Sequence, residues 1–168
     1  MVDNVRVRDA TEADVPRILE ITNEAIEHTT ANWSLEPTTL RERLEWFGEH
    51  QQHGWPVLVA VRPDDRVIGF ATYGEYRAKA GYRFTVEHSI YVDAAERSRG
   101  IGSMLLATLI DRAVAAGVHV MIGGVAGDNV ASIRLHARFG FTVTGHLREV
   151  GRKFDRWLDL VFVQRIFT

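Results

Sequence analysis

Cysteine is absent from the sequence. That absence excludes disulfides, thiolate metal sites and a cysteine nucleophile together, and it fits an expected cytoplasmic location. Lysine is scarce as well: Lys79 and Lys153 are the only two, so nearly all basic side chains are arginines. The planar guanidinium suits bidentate capture of phosphates and carboxylates, although a GC-rich genome produces the same bias. Positive charge is not in excess. Lys+Arg is 20 against Asp+Glu 22, a formal net charge of −2, which leaves no electrostatic footprint for nucleic acid. No apolar run is long enough to span a bilayer, and Met1 to Arg6 lacks the apolar core of a secretion signal. No cluster of His, Asp and Glu has metal-ligand spacing, so no metal is expected. What remains is a chain of 168 residues, 46% hydrophobic and 25% charged. Those values predict one globular domain over residues 1–168, able to bury its own core without a metal or disulfide.

Periodicity divides the chain into elements. Val5–Arg8 alternates like a strand, and Thr11 reads as the N-cap of a helix with Val15, Ile18, Leu19, Ile21, Ala25 and Ile26 at helical spacing. A polar loop from Thr29 to Pro37 follows. Thr39 with Glu42 forms a capping box opening a second helix that stops near Gly54. Val57–Val61 is apolar, short and rich in β-branched residues, hence a strand; the Pro63-Asp64-Asp65 turn leads to another over Val67–Tyr73. Further strands are predicted at Phe84–Val92, Val118–Val125, Thr142–Leu147 and Trp157–Arg165, with helices at Gly102–Ala116 and Val130–Phe139. Early strands form a meander and later ones alternate with helices. The pattern predicts a mixed α/β (α+β) fold: a largely antiparallel sheet, one parallel pair, and helices on both faces.

The segment Arg97-Ser98-Arg99-Gly100-Ile101-Gly102 lies between a strand and an amphipathic helix whose stripe is Leu105, Leu109 and Ala113. The first N–H groups of a helix lack intrahelical partners, and the helix dipole adds positive potential there, so such a turn is an anion site. Glycines at 100 and 102 let main chain approach a phosphate closely, with Ser103 in the same first turn and Arg97 and Arg99 as charged partners. The plain alternative is an ordinary strand-to-helix turn. A P-loop is ruled out for lack of G-x-x-x-x-G-K-[ST], and a dinucleotide turn fails because Leu105 stands where the third glycine belongs.

The Arg97-x-x-Gly100-x-Gly102 turn resembles the acetyl-CoA-binding motif of the GNAT superfamily of N-acetyltransferases. Three more segments are similar to the branch that acetylates phosphinothricin and methionine sulfoximine or sulfone. They are Thr85-Val86-Glu87-His88-Ser89-Ile90-Tyr91-Val92, Asn129-x-x-Ser132-x-x-Leu135-His136-x-x-x-Gly140-Phe141, and Gly151-x-Lys153-Phe154-x-Arg156-Trp157-x-Asp159. Order and spacing agree from about Val5 to Phe167. The resemblance implies the GNAT fold, acetyl-CoA as cosubstrate, no metal, a small amine as acceptor and a homodimer.

It also implies roles. Acyl transfer needs an amine stripped of its extra proton, and the branch carries a glutamate where this chain has Glu87; the bland reading is a solvated strand glutamate. Main-chain N–H groups of Ile90, Tyr91 and Val92 would hold the cofactor arm and the charge developing on the thioester oxygen. His136 stands where many relatives have tyrosine. It is then a proton donor to the leaving thiolate, a cofactor ligand, or a helix histidine packed on the sheet; Tyr91 is a second donor candidate. Asn129 and Ser132 match positions that contact the coenzyme arm, while Asn129 is equally an N-cap. Glu75, Tyr76 and Arg77, with Phe84, Thr85 and Val86, would form the acceptor pocket. Arg77 would clamp a carboxylate, unless it is merely an exposed strand-end arginine. Trp33 and Trp157 either wall that pocket or belong to the core. Rival readings are an acetyltransferase for protein N-termini or polyamines, and a non-catalytic acyl-CoA sensor.

Overall fold

A computed structural model describes residues 4–168; Met1 to Asp3, where the reading for a secretion signal begins, lie outside them. Seven strands form one sheet: β1 (Arg6–Asp9), β2 (Val57–Val61), β3 (Val67–Glu75), β4 (Thr85–Val92), β5 (Val120–Ala126), β6 (Thr142–Lys153) and β7 (Arg156–Ile166). Their spatial order is β1-β2-β3-β4-β5-β7-β6, and every neighbouring pair is antiparallel except β4 with β5. Among the described residues the α-helices are α1 (Val15–His28), α2 (Leu40–His53), α3 (Ile101–Ala115) and α4 (Val130–Arg138).

The five-residue run of β2 is apolar throughout because both faces of the sheet are covered there. Leu58 and Ala60 join a core with Leu105, Leu106 and Leu109 of α3, while Val57, Val59 and Val61 join one with Val15, Ile18 and Phe47 of α1 and α2. Burying each such aliphatic side chain contributes about 1.5–3 kcal/mol. Helix α2 begins as its capping box predicts: Glu42 N–H donates to Thr39 Oγ1 (3.3 Å), and Thr39 N–H donates to a Glu42 carboxylate oxygen (2.7 Å). It stops at Gly54, whose φ is +69°.

Boundaries shift by a residue or two in several elements, and three differences have a clear physical cause. Thr11 caps a single 3₁₀ turn, Glu12–Asp14, and α1 starts only at Val15. Val118 is not strand: its N–H donates to the Ala113 carbonyl (3.0 Å) and closes α3 behind Gly117, so β5 starts at Val120. Strand β6 continues six residues past Leu147, across an irregularity between Leu147 and Gly151. As an edge strand it is mostly exposed and has little apolar alternation to show.

One feature of the sheet prepares the site. β4 pairs with β5 only from Thr85↔Val120 to Glu87↔Ile122. Beyond that point β4 stays with β3 up to Gly69↔Val92, and β5 stays with β7 up to Ala126↔Leu160. The two strands therefore part company, and main chain of Ser89–Val92, still paired with β3 on one side, has no ladder on the side toward β5.

Candidate active site

The parting of β4 and β5 opens a cleft of about 950 Å³. Its walls are Ser89–Val92 and Gly123–Ala126, the turn before α3, the start of α4, the loop after α1 and the β6–β7 turn. Of the residues assigned to cofactor binding, Ile90, Tyr91, Val92, Arg97, Ser98, Gly100, Ile101, Gly102, Ser103, Asn129 and Ser132 all line it; Arg99 does not.

At the mouth of α3, Gly100 is the N-cap with φ +83°, a left-handed conformation that disfavours a side chain. Ser103 and Met104 N–H groups donate to the Gly100 carbonyl (3.1 and 3.2 Å). Those of Ile101 and Gly102 precede any intrahelical acceptor and are free for an anion. Gly102 has a second reason to lack a side chain, since a Cβ there would stand 3.3 Å from Leu135 of α4. The arginines are less free than their sequence positions suggest. Arg97 is bonded to Glu24 of α1 (2.6 Å) and to the Val92 carbonyl (3.3 Å). Arg99 lies 3.7 Å from Glu96, which also accepts from Arg62 (2.6 and 3.0 Å) and Arg66 (2.9 Å). Arg62 beside it holds the Glu96 carboxyl below the usual range. Glu96 thus anchors the turn, a role with little local sequence signal because Arg62 and Arg66, the two arginines hydrogen-bonded to it, lie 34 and 30 residues away.

Glu87 and Val86 point to opposite faces. Val86 is buried in the α3 core, which removes it from any acceptor pocket. Glu87 faces the α1/α2 side across Gly124, whose missing Cβ would lie 3.6 Å from a Glu87 carboxylate oxygen. Burial pushes the Glu87 pKa up, and the positive charge of Arg77 opposes that rise. Tyr91 shares this face: its ring stacks on Phe70 (centroids 5.3 Å) and its hydroxyl accepts from Asn32 Nδ2 (3.2 Å). Burial raises the phenol pKa further, so Tyr91 holds its proton.

His136 lines the cleft, yet both of its ring nitrogens are engaged by neighbours. Nδ1 meets the Ser132 carbonyl at 2.7 Å, and Nε2 meets Nε2 of His88 at 2.8 Å. Of the three readings, this geometry supports the packed histidine. His88 itself escaped the sequence reading, since only the fold brings it to α4. Its Nδ1 lies 2.9 Å from the Ile122 carbonyl, at the last β4–β5 pair. Burial and the neighbouring His136 push the His88 pKa down to about 3. A Cβ on Gly123 would sit 2.7 Å from the His88 ring, so the wedge needs glycine opposite. The His88 side chain thus sits at the point where the two strands separate. Asn129 does cap α4, accepting from Ser132 N–H (3.1 Å), while also lining the cleft.

Among the acceptor candidates, Arg77 is exposed, rests on the Tyr76 ring (5.1 Å) and is close enough to act on Glu87. Glu75 ends β3 opposite Val86, and Thr85 opens β4 half-buried. Phe84 is exposed beneath the Arg83 guanidinium (4.5 Å). Neither tryptophan lines the cleft. Trp33 packs over Gly151 and donates to the Thr30 carbonyl (2.9 Å), whereas Trp157 is 61% exposed and carries Arg152 on its ring (5.5 Å), so it is neither pocket nor core. Among the described residues no three His, Asp or Glu gather as a metal site.

A parallel strand pair that opens beside a glycine-capped helix mouth offers main-chain donors to an extended ligand carrying an anionic group. Residues 18–141 match the Acetyltransferase (GNAT) family, and the chain belongs to that family. It is 48% identical over 158 residues to the L-methionine sulfoximine/L-methionine sulfone acetyltransferase of Pseudomonas aeruginosa, covering 94% of this chain and 92% of that protein. It is 40% identical over 164 residues to the phosphinothricin N-acetyltransferase of Streptomyces coelicolor, with 96% and 95% covered. A GNAT superfamily phosphinothricin acetyltransferase from Sinorhizobium meliloti, solved in complex with AcCoA, superposes with a TM-score of 0.95 at 36% identity, covering 98% of this chain and 89% of that one. The protein is an acetyl-CoA-dependent N-acetyltransferase.

Proposed function

We propose that this enzyme acetylates the amine of a small amino acid analogue of the methionine sulfoximine, methionine sulfone or phosphinothricin type, by direct attack within a ternary complex. One observation carries the reading. Glu87, with its raised pKa, is the last β4 residue paired with β5, directly before His88 and Ser89 of the cleft wall and under the influence of Arg77. A carboxylate so placed takes a proton from an incoming ammonium more readily than an ordinary glutamate does. Arg77 supplies a fork for the acceptor's carboxylate. The Ile101 and Gly102 N–H groups cradle the coenzyme's pyrophosphate, and main-chain donors of Ile90–Val92 face the thioester carbonyl. Arg77 disfavours a polyamine, whose cationic site calls for acidic lining.

The named relatives support this substrate class; we read the chain further as one domain that acts as a homodimer in the cytoplasm, without nucleic acid or membrane partners. Steady-state kinetics on a panel of amines tests the proposal: turnover of at least one sulfoximine, sulfone or phosphinate is expected. If none is acetylated, the substrate class is wrong; if acetyl-CoA stabilises the protein without thiol release, the chain is a sensor.

A further inference from the structure

Lys153, the last residue of β6, is 4% exposed. Its Nζ donates to three main-chain carbonyls: those of Ile26, Thr29 (2.8 Å) and Asn32 (2.5 Å). All three belong to the end of α1 and the loop that follows it. The Ile26 carbonyl lies in the final helical turn, where acceptors lack intrahelical donors and the helix dipole is negative. Counting donors decides the charge. A neutral amine has two N–H bonds and a lone pair, which would face the third carbonyl; an ammonium has three donors and satisfies all of them. Burial pushes the Lys153 pKa down, so the charged form persists on the strength of these three bonds.

What the ammonium holds is part of the cleft. Thr29, Thr30 and Ala31 line it, and Asn32 Nδ2 donates to the Tyr91 hydroxyl (3.2 Å). Lys153 also seats its own hairpin. The following residues, Phe154 and Asp155, turn with φ +52° and +54°, delivering Phe154 and Arg156 to the cleft wall. Arg156 then pairs with Asp128 (2.7 Å), which accepts from Thr30 Oγ1 (3.1 Å). Two residues before Lys153, the hairpin meets the loop again: a Cβ on Gly151 would lie 2.4 Å from the Trp33 ring. Loop and hairpin therefore lock at two points. They do so on the sheet face that carries Tyr91 and Glu87, across from the α3 core.

We infer that Lys153 is a positioning residue whose ammonium, seated in three carbonyls at the end of α1, fixes the loop and hairpin that wall the acceptor side of the cleft. It acts through Asn32 and Tyr91 on one arm and through Phe154 on the other, and so sets affinity for the amine rather than for the coenzyme. Its kinetic consequence rests on the acetyltransfer proposed above; the seated ammonium does not.

The test is Lys153→Met, which keeps the length of the side chain and removes the donors. Because misplacing a substrate wall by about 1 Å costs up to about a hundredfold, the acceptor KM is expected to rise at least about tenfold. Calorimetric affinity for acetyl-CoA without acceptor should stay within about threefold, since the Gly100–Ser103 mouth is untouched. An unchanged acceptor KM, or equal losses for both substrates, overturns the inference. Should Lys153→Met fail to fold, Asn32→Ala must produce the same split, and its failure to do so also counts against the idea. Independently, with only two lysines in the chain, the ¹⁵N-lysine spectrum of wild-type protein should show one ammonium resonance protected from exchange at neutral pH; two freely exchanging lysines refute the seat. If wild-type protein does not bind acetyl-CoA while the protected ammonium is seen, the acetyltransferase reading fails and the seat stands.

Discussion

Val86, Glu87 and His88 are consecutive, yet one fills the α3 core, one faces the acceptor side and one wedges the sheet open. Strand alternation separates the first two, and the fold gives the third its partner. Glu87→Gln is predicted to lower kcat/KM most between the raised Glu87 pKa and the higher pH at which the substrate amine loses its proton unaided. The base works deprotonated, so wild-type activity climbs as pH passes upward through the raised Glu87 pKa, and the variant lacks that limb. Identical pH–rate profiles for the two proteins would remove Glu87 from the chemistry. Gly123→Ala forces a Cβ to 2.7 Å from the His88 ring; overpacking of this kind costs about 1–3 kcal/mol. Urea unfolding should register that loss, and the acetyl-CoA KM should rise because the wedge defines the cleft. Gly100→Ala, at φ +83°, should cost about 1–2 kcal/mol and also raise that KM.

Elements differ in how plainly the chain announces them. Helix α2 begins and ends where Thr39, Glu42 and Gly54 say it should, because caps are settled between residues three or four apart. Thr39→Ala should therefore lower stability by about 1 kcal/mol and leave acetyl-CoA affinity unchanged, a pair of results that thermal melts and calorimetry can read. Strand β6 is the opposite case. It lies at the sheet edge with few buried positions, so its second half carried no alternation to detect. Yet this half supplies Gly151 and Lys153, the contacts that seat the hairpin. The α3 turn was legible as a glycine-opened helix start from two glycines ahead of an amphipathic helix, whereas the diversion of Arg97 to Glu24 was not, since that partner sits 73 residues earlier.

For the molecule as a whole, saturating ligand should act as a stabiliser. At a free concentration of 100 times its Kd, acetyl-CoA adds about 2.7 kcal/mol to unfolding, or roughly 5–10 °C in Tm for a chain of this size. A scan showing no shift would contradict coenzyme binding. The β6–β7 edge exposes Val143, Leu147, Val150 and Trp157, an apolar surface that suits the proposed homodimer. Sedimentation should find two copies, and Trp157→Glu should shift the balance toward one; a wild-type monomer refutes that arrangement.

Local chemistry, written along the chain, determined the elements, the alternation that turns Glu87 from Val86, the glycine mouth of α3 and the family. Those features depend on periodicity and capping between near neighbours, so sequence order alone conveys them. Tertiary structure decided the rest: the His88–His136 contact across 48 residues, the Arg62–Glu96 pair across 34, and the Lys153 ammonium 127 residues from the Ile26 carbonyl. The reason is physical. A buried donor or acceptor must find a partner wherever the fold supplies one, and that choice is made in space.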